Sequence, residues 1–255
     1  MILDTFIEFW YVIFLFLIVA ILYASAGFGG GSSYLAILAL TGLAYTEIRA
    51  ISILCNILVV SGNVLFYYQK KSFDFKKIIP LVILSVPLAY LGGYIKITQS
   101  IFFILFGFTL LFAAITMWIS NKILSDHEIS TKPNLKKNLF YGGFIGFISG
   151  MVGIGGGIFL APLLHLTNWD TPKKIAATAS IFILLNSLAG FGGQISNPDF
   201  SINWNLTFIL LVSVFIGGQV GIRISSKFFT PIFMKRATAI LIAFVSLRIL
   251  WKYLF

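Results

Sequence analysis

Hydrophobic residues along this chain fall in long runs, separated by short polar or glycine-rich intervals, and few of the runs hold a charge. Apolar stretches of about 17–25 residues match the hydrocarbon core of a bilayer when wound as helices. The pattern predicts spans at 50–68, 78–96 and 101–120, and again at 174–194, 204–222 and 232–252. Ahead of each set of three stands an apolar segment that glycines interrupt. The first, 9–44, holds Gly27-Phe28-Gly29-Gly30-Gly31; the second, 138–166, holds Gly153-Ile154-Gly155-Gly156-Gly157, 126 positions later. The unit therefore occurs twice, as 1–120 and 138–255, with a polar linker at 121–137.

Glycine weakens a helix interior by about 1 kcal/mol per residue, so four glycines in five positions break the helix. In lipid, broken backbone is tolerated only where protein buries it or where it lines a wet cavity. A helix restarting at Ser32 and Ser33 presents free N–H groups and hydroxyls, and such a terminus attracts anions. Close packing of helices through small residues is the competing reading of one copy. Two copies at the same place in a repeated unit favour a site.

Charge orients the halves. The loop after 50–68 holds Lys70, Lys71, Lys76 and Lys77, while its counterpart at 196–203 holds no Lys or Arg. One loop later the bias reverses: Lys96 stands alone against Arg223, Lys227, Lys235 and Arg236. Equivalent loops of opposite bias predict halves that face opposite ways, which requires 9–44 and 138–166 to be helical hairpins. Hairpins place 14 of the 18 basic residues inside, leaving Arg49, Lys96, Arg248 and Lys252 outside, as the positive-inside rule prefers. Both termini are then outside and the linker 121–137 is cytoplasmic. The sequence leaves open whether the hairpins cross fully or dip partway.

The expected fold is thus an all-α integral membrane protein of two inverted repeats, each a glycine-broken helical hairpin plus three transmembrane helices. A chain that is 59% hydrophobic and 10% charged does not suit a soluble domain. Its net charge of +10 serves topology here, so the expected partner is the lipid bilayer and not nucleic acid. Asp4 and Glu8 stand where a signal peptide would be basic, so no cleaved leader is expected. Cys55 is alone, which excludes a disulfide within the chain.

The acidic residues fall in loops or near span ends, and His127 and His165 have no metal-site spacing. No metal, cofactor or catalysis is expected. The mid-span polar residues are neutral: Asn56 and Ser61 in 50–68, and Ser180, Asn186 and Ser187 in 174–194. Interhelical hydrogen bonding explains any one of them, at about 0.6 kcal/mol on average. Ser61 and Ser187 stand out because the repeat matches them, and inversion would bring their hydroxyls together at the midplane. No Lys or Arg is expected deep in a span.

Two copies of Gly-x-Gly-Gly-Gly, the second followed by Pro162, resemble the TauE/SafE family of sulfite and organosulfonate exporters. So do Ala89-Tyr90-Leu91-Gly92 and Gly218-Gln219-Val220-Gly221 after them. The resemblance implies a secondary transporter of the bacterial cytoplasmic membrane that exports a small anion. An anion channel or uniporter and a non-transporting membrane scaffold are the competing readings. The expected binding residues are Gly29, Gly30, Gly31, Ser32, Ser33, Asn56, Ser61, Gly155, Gly156, Gly157, Ser180, Asn186 and Ser187. The copies differ, with Ala36 where the second has Pro162, and Ile158 and Phe159 where the first has Ser32 and Ser33. The oligomeric state is not legible in the sequence.

Overall fold

The computed structural model describes residues 2–119, 135–167, 169–224 and 231–254, and every regular element within them is an α-helix. In chain order these are α1 (Ile2–Ser25), α2 (Gly31–Leu38), α3 (Tyr45–Gln69), α4 (Phe75–Tyr94) and α5 (Gln99–Ile119). The second half supplies α6 (Leu135–Val152), α7 (Gly157–Leu166), α8 (Pro172–Ile195), α9 (Trp204–Ile224) and α10 (Pro231–Leu254). The expected linker 121–137, with His127, lies outside the described residues up to 134, and 135–137 belong to α6. Six of the described helices are long and apolar enough to cross a membrane. The element starts follow local chemistry. Pro172 opens α8, where its missing N–H is no loss. Glu47 in the first turn of α3 suits the helix dipole, and α3 begins five residues before the predicted 50.

The molecule carries its apolar side chains outward as well as inward. Phe140, Phe144, Phe208, Phe244 and Trp251 are exposed, while Asn56, Asn63, Asn186 and Ser187 are buried. Against lipid this distribution costs nothing, and the buried polar groups then bond one another across helices. Lipid also removes the hydrophobic drive for helix association, so close packing has to supply it. Glycine stripes do so here. On α6, Gly142, Gly146 and Gly150 lie against Leu81, Ser85 and Ala89 of α4, so close that a Cβ on any of them would meet α4 backbone. On α9, Gly217 and Gly221 lie in the same way against Leu17 and Ile21 of α1. Beside them the Ser213 hydroxyl donates to the Ile13 carbonyl at 2.8 Å. In both pairs the register advances in step, so the partners run parallel.

The repeat read from the sequence, at an offset of 126 that grows to 129, pairs α1 with α6 and α4 with α9. The contact of α4 with α6 is therefore exchanged for that of α9 with α1. Two helices meet their own counterparts instead. Along α3 and α8, Asn56 meets Ser187 and Ile53 meets Gly190. Along α5 and α10, Phe103 stacks on Tyr253 with centroids 4.6 Å apart, and Ser246 donates to the Gly107 carbonyl at 2.8 Å. In each of these pairs numbers rise on one helix as they fall on the other, so the counterparts run antiparallel.

A stability prediction follows from the stripes. Gly146→Leu drives a side chain into Ser85, whose carbonyl and Cα lie 2.5 and 2.7 Å from the ideal Cβ position. Overpacking of this kind costs about 1–3 kcal/mol, so the yield of monodisperse protein on size exclusion should collapse. At Gly192 the nearest atoms are 3.6 Å away, on the Tyr90 ring, and Gly192→Ala should be neutral.

Candidate functional site

Both glycine runs begin by closing a helix in the same way. Gly27 and Gly153 have φ of +80° and +86°, the left-handed conformation that glycine adopts without penalty. The next N–H in each case reaches back five residues, from Phe28 to the Tyr23 carbonyl at 2.9 Å and from Ile154 to Ser149 at 3.1 Å. The chain then folds back. The Phe16 and Tyr34 rings stack with centroids 4.6 Å apart, whereas a continuous helix would separate those residues by about 27 Å. Tyr23 Oη and Ser33 Oγ, 2.8 Å apart, tie the same two arms.

The return arms are only partly helical. The eight residues of α2 rise about 12 Å and the ten of α7 about 15 Å, each half of a bilayer core. The non-helical glycine run covers the remaining depth, and α3 measures it. Gly27 lies against Tyr67 near the end of α3. The Phe28 carbonyl accepts from Asn63 Nδ2 at 3.0 Å, and the Gly31 N–H donates to Asn56 Oδ1 at 3.0 Å. Asn56 is mid-helix, so α2 begins at mid-span. From the other end of α3, Gly153 lies beside Arg49 and Gly155 beside Asn56, so α7 also begins at mid-span.

Asn56 joins the two breaks. While its Oδ1 accepts from Gly31, its Nδ2 donates to Ser187 Oγ at 2.9 Å. Both side chains are buried. The Ile154 carbonyl stands 3.0 Å from the place a Cβ on Gly31 would take, so the backbones of the two runs touch. A cavity opens beside this contact. Gly29, Ser32 and Asn56 line it from the first half, and Ile154, Gly157 and Ile158 from the second. The N–H groups of Ser32, Ser33, Gly157 and Ile158 have no backbone acceptor among the described residues. Both N-termini therefore bring donors without a backbone partner, and the positive ends of their dipoles, to this one pocket.

Of the residues singled out in the sequence, Gly29, Gly31, Ser32, Asn56, Gly155, Gly157 and Ser187 gather at this point. Ser180 supports it from behind, donating to the Gly27 carbonyl and to Ala176, and Ser33 is held by Tyr23. A Cβ on Gly30 would face Tyr34 and Val19, and one on Gly156 would face Ile145 and Phe182. Those Cβ directions point at packing neighbours, and neither glycine lines the cavity. Asn186 points to α4, donating to Ser85 Oγ at 3.0 Å and to the Phe182 carbonyl at 2.8 Å. Ser61 donates to its own helix at Ile57, 2.7 Å away. The matched serines do not meet. Ser187 pairs with Asn56, whose counterpart 126 residues on is Phe182, so the two halves supply different polar groups to the site.

Arg49 corrects an expectation. It is not in an outside loop but in the second turn of α3, 4% exposed. Its signal was Glu47, which marks a helix start before 50.

A family profile described as "Sulfite exporter TauE/SafE" matches residues 12–249. The "Probable membrane transporter protein y4hK" of Sinorhizobium fredii is 30% identical over 92% of this chain and 96% of its own. The "Probable membrane transporter protein MJ0441" of Methanocaldococcus jannaschii is 28% identical over 62% of this chain and 61% of its own. The "Probable membrane transporter protein YunE" of Bacillus subtilis is 23% identical over 69% of this chain and 70% of its own. No solved structure matches.

Proposed function

The chain belongs to the sulfite exporter TauE/SafE family, and on that premise we propose a secondary transporter that carries a small anion such as sulfite or an organosulfonate. It is a multi-pass protein of the cell membrane, related throughout its length to membrane transporters. One observation carries the substrate class: the N-termini of α2 and α7, from different halves, open onto a single cavity at mid-span. Each terminus offers about half a positive charge, so two together balance roughly one anionic charge. Ser32 Oγ and the Asn56–Ser187 pair add polar contacts. Among the described residues no fixed cation lines that cavity, and binding by dipoles leaves the anion free to depart.

The halves are inverted in this reading. The antiparallel course of α3 with α8 and of α5 with α10 supports it, as does the reversed charge bias of equivalent loops. Inversion lets one bundle rock against the other around a fixed mid-span site. A negative interior favours outward movement by about 2.3 kcal/mol per charge at 100 mV, so export needs no coupling ion.

The test is flux in proteoliposomes of sulfite, sulfoacetate, taurine, sulfate and chloride, with and without an imposed potential. Saturable, temperature-steep flux of a sulfur oxyanion is the expected result. Channel-like rates with no saturation, or no flux of any anion, would refute the reading. Within the same assay Ser187→Ala leaves Asn56 Nδ2 without its acceptor. The apparent KM should rise about ten-fold, the effect of a hydrogen bond of roughly 1.4 kcal/mol. Ser61→Ala, whose hydroxyl serves only its own helix, should stay within about two-fold of wild type on the same scale.

A further inference from the structure

We propose that Arg49 and Gln194 form a second anion site, about two helical turns along α3 from the mid-span cavity. It deepens the anion-transport reading and rests on it for the ligand class. The two side chains come from α3 and α8 and meet at the start of the second glycine run. A Cβ on Gly153 would lie 3.3 Å from Gln194 Nε2 and 3.4 Å from Arg49 Cβ. Both line a pocket that opens to the surface, with Tyr45, Thr46 and Gly93 around it and Lys96 contributing from the loop after α4.

Two buried donors of this pocket have no acceptor. Arg49 is 4% and Gln194 5% exposed. Arg49 Nη2 reaches the carbonyls of Gly93 and Gly150 at 3.4 and 3.3 Å, longer than the usual 2.7–3.2 Å for N–H donors. Its Nε, and Gln194 Nε2, are buried without any acceptor. Among the described residues no carboxylate lies within ion-pair distance of Arg49. The acid of the cavity, Asp199, takes Lys96 instead, at 3.0 Å. A buried guanidinium without a counter-charge is costly, and native proteins pair such groups. An arginine fork matches two oxygens of one group, as sulfite, sulfate and sulfonates present them, and a monatomic halide cannot fill it in that way. Arg49 and Asn56 stand on one helix with Gly153 to Gly155 running between them, so the two sites are consecutive along the second break.

Equilibrium dialysis of the full-length protein in detergent, with radiolabelled sulfite and sulfate in chloride-free buffer, counts the sites. Wild type should bind two equivalents per chain. Arg49→Gln should lose one and keep the other, and Asn56→Leu should show the complementary loss. Gln194→Glu places a tethered carboxylate beside Arg49. It should abolish the same equivalent as Arg49→Gln and raise the melting temperature without anion, and it carries the test if Arg49→Gln does not fold. A single equivalent that is lost in Asn56→Leu, yet kept in Arg49→Gln and Gln194→Glu, overturns the Arg49 site and leaves the mid-span reading in place. A single equivalent lost only at Arg49 and Gln194 upholds this site and removes the mid-span one. Absence of binding to wild type overturns both.

Discussion

Asn56→Asp is expected to abolish anion transport in a protein that still folds. The substitution changes no heavy-atom position. The acceptor for the Gly31 N–H remains, and Ser187 can turn its hydroxyl to donate where it now accepts. What changes is charge. A carboxylate between the N-termini of α2 and α7 takes the positive potential that the transported anion would use. A second anion about 4 Å away would be repelled by roughly 4 kcal/mol at an effective dielectric of 20, or about three orders of magnitude in affinity. Flux in proteoliposomes should fall at least 100-fold by the same arithmetic, with an unchanged or raised melting temperature. Wild-type flux in this variant would place the anion elsewhere.

Gly155→Ala should reduce transport to about a tenth or less, and the reason is separable from backbone strain. Gly155 has φ of +72°, where an L side chain costs about 1–2 kcal/mol. Its Cβ would also lie 2.6 Å from Asn56 Nδ2 and collide with Ser187 Oγ, so the Asn56–Ser187 bond beside the second break has to give way. Gly42 supplies the control: its φ is +81°, yet nothing lies within 4 Å of its Cβ position. Gly42→Ala bears the conformational cost alone and should transport normally. Equal losses in both variants would mean that strain, not the collision at Asn56, limits the glycine run.

Much of the architecture was legible because lipid imposes it on the chain locally. An apolar run of span length has to satisfy its own backbone and so becomes a helix, which is why α3, α4, α5, α8, α9 and α10 fall near their predicted places. The glycine runs were legible for the complementary reason. Gly27 and Gly153 are where the left-handed turn is needed, and no neighbour in sequence offers an alternative. The errors lie at helix starts. With α3 begun at 50, Arg49 read as a loop residue, and the single buried guanidinium of that helix passed for a topology signal.

Repetition in the sequence marked which residues are equivalent, but equivalence does not decide contact. Ser61 and Ser187 match by position, yet one bonds back to Ile57 and the other across to Asn56. Which partner a hydroxyl finds depends on the rotation of each helix about its axis, and for α8 the close approach of Gly190 and Gly193 to Gly93 and Tyr90 of α4 constrains that rotation through contacts remote in sequence. Gly30 and Gly156 belong to the signature, but their Cβ directions face Tyr34 and Phe182, a matter of where the neighbouring helices stand. The sequence by itself determined the helices and the two breaks, because these follow from local backbone chemistry in lipid. Only the tertiary structure decided that the breaks meet at Asn56 and that Arg49 is buried without a carboxylate, because both depend on packing between helices far apart in the chain.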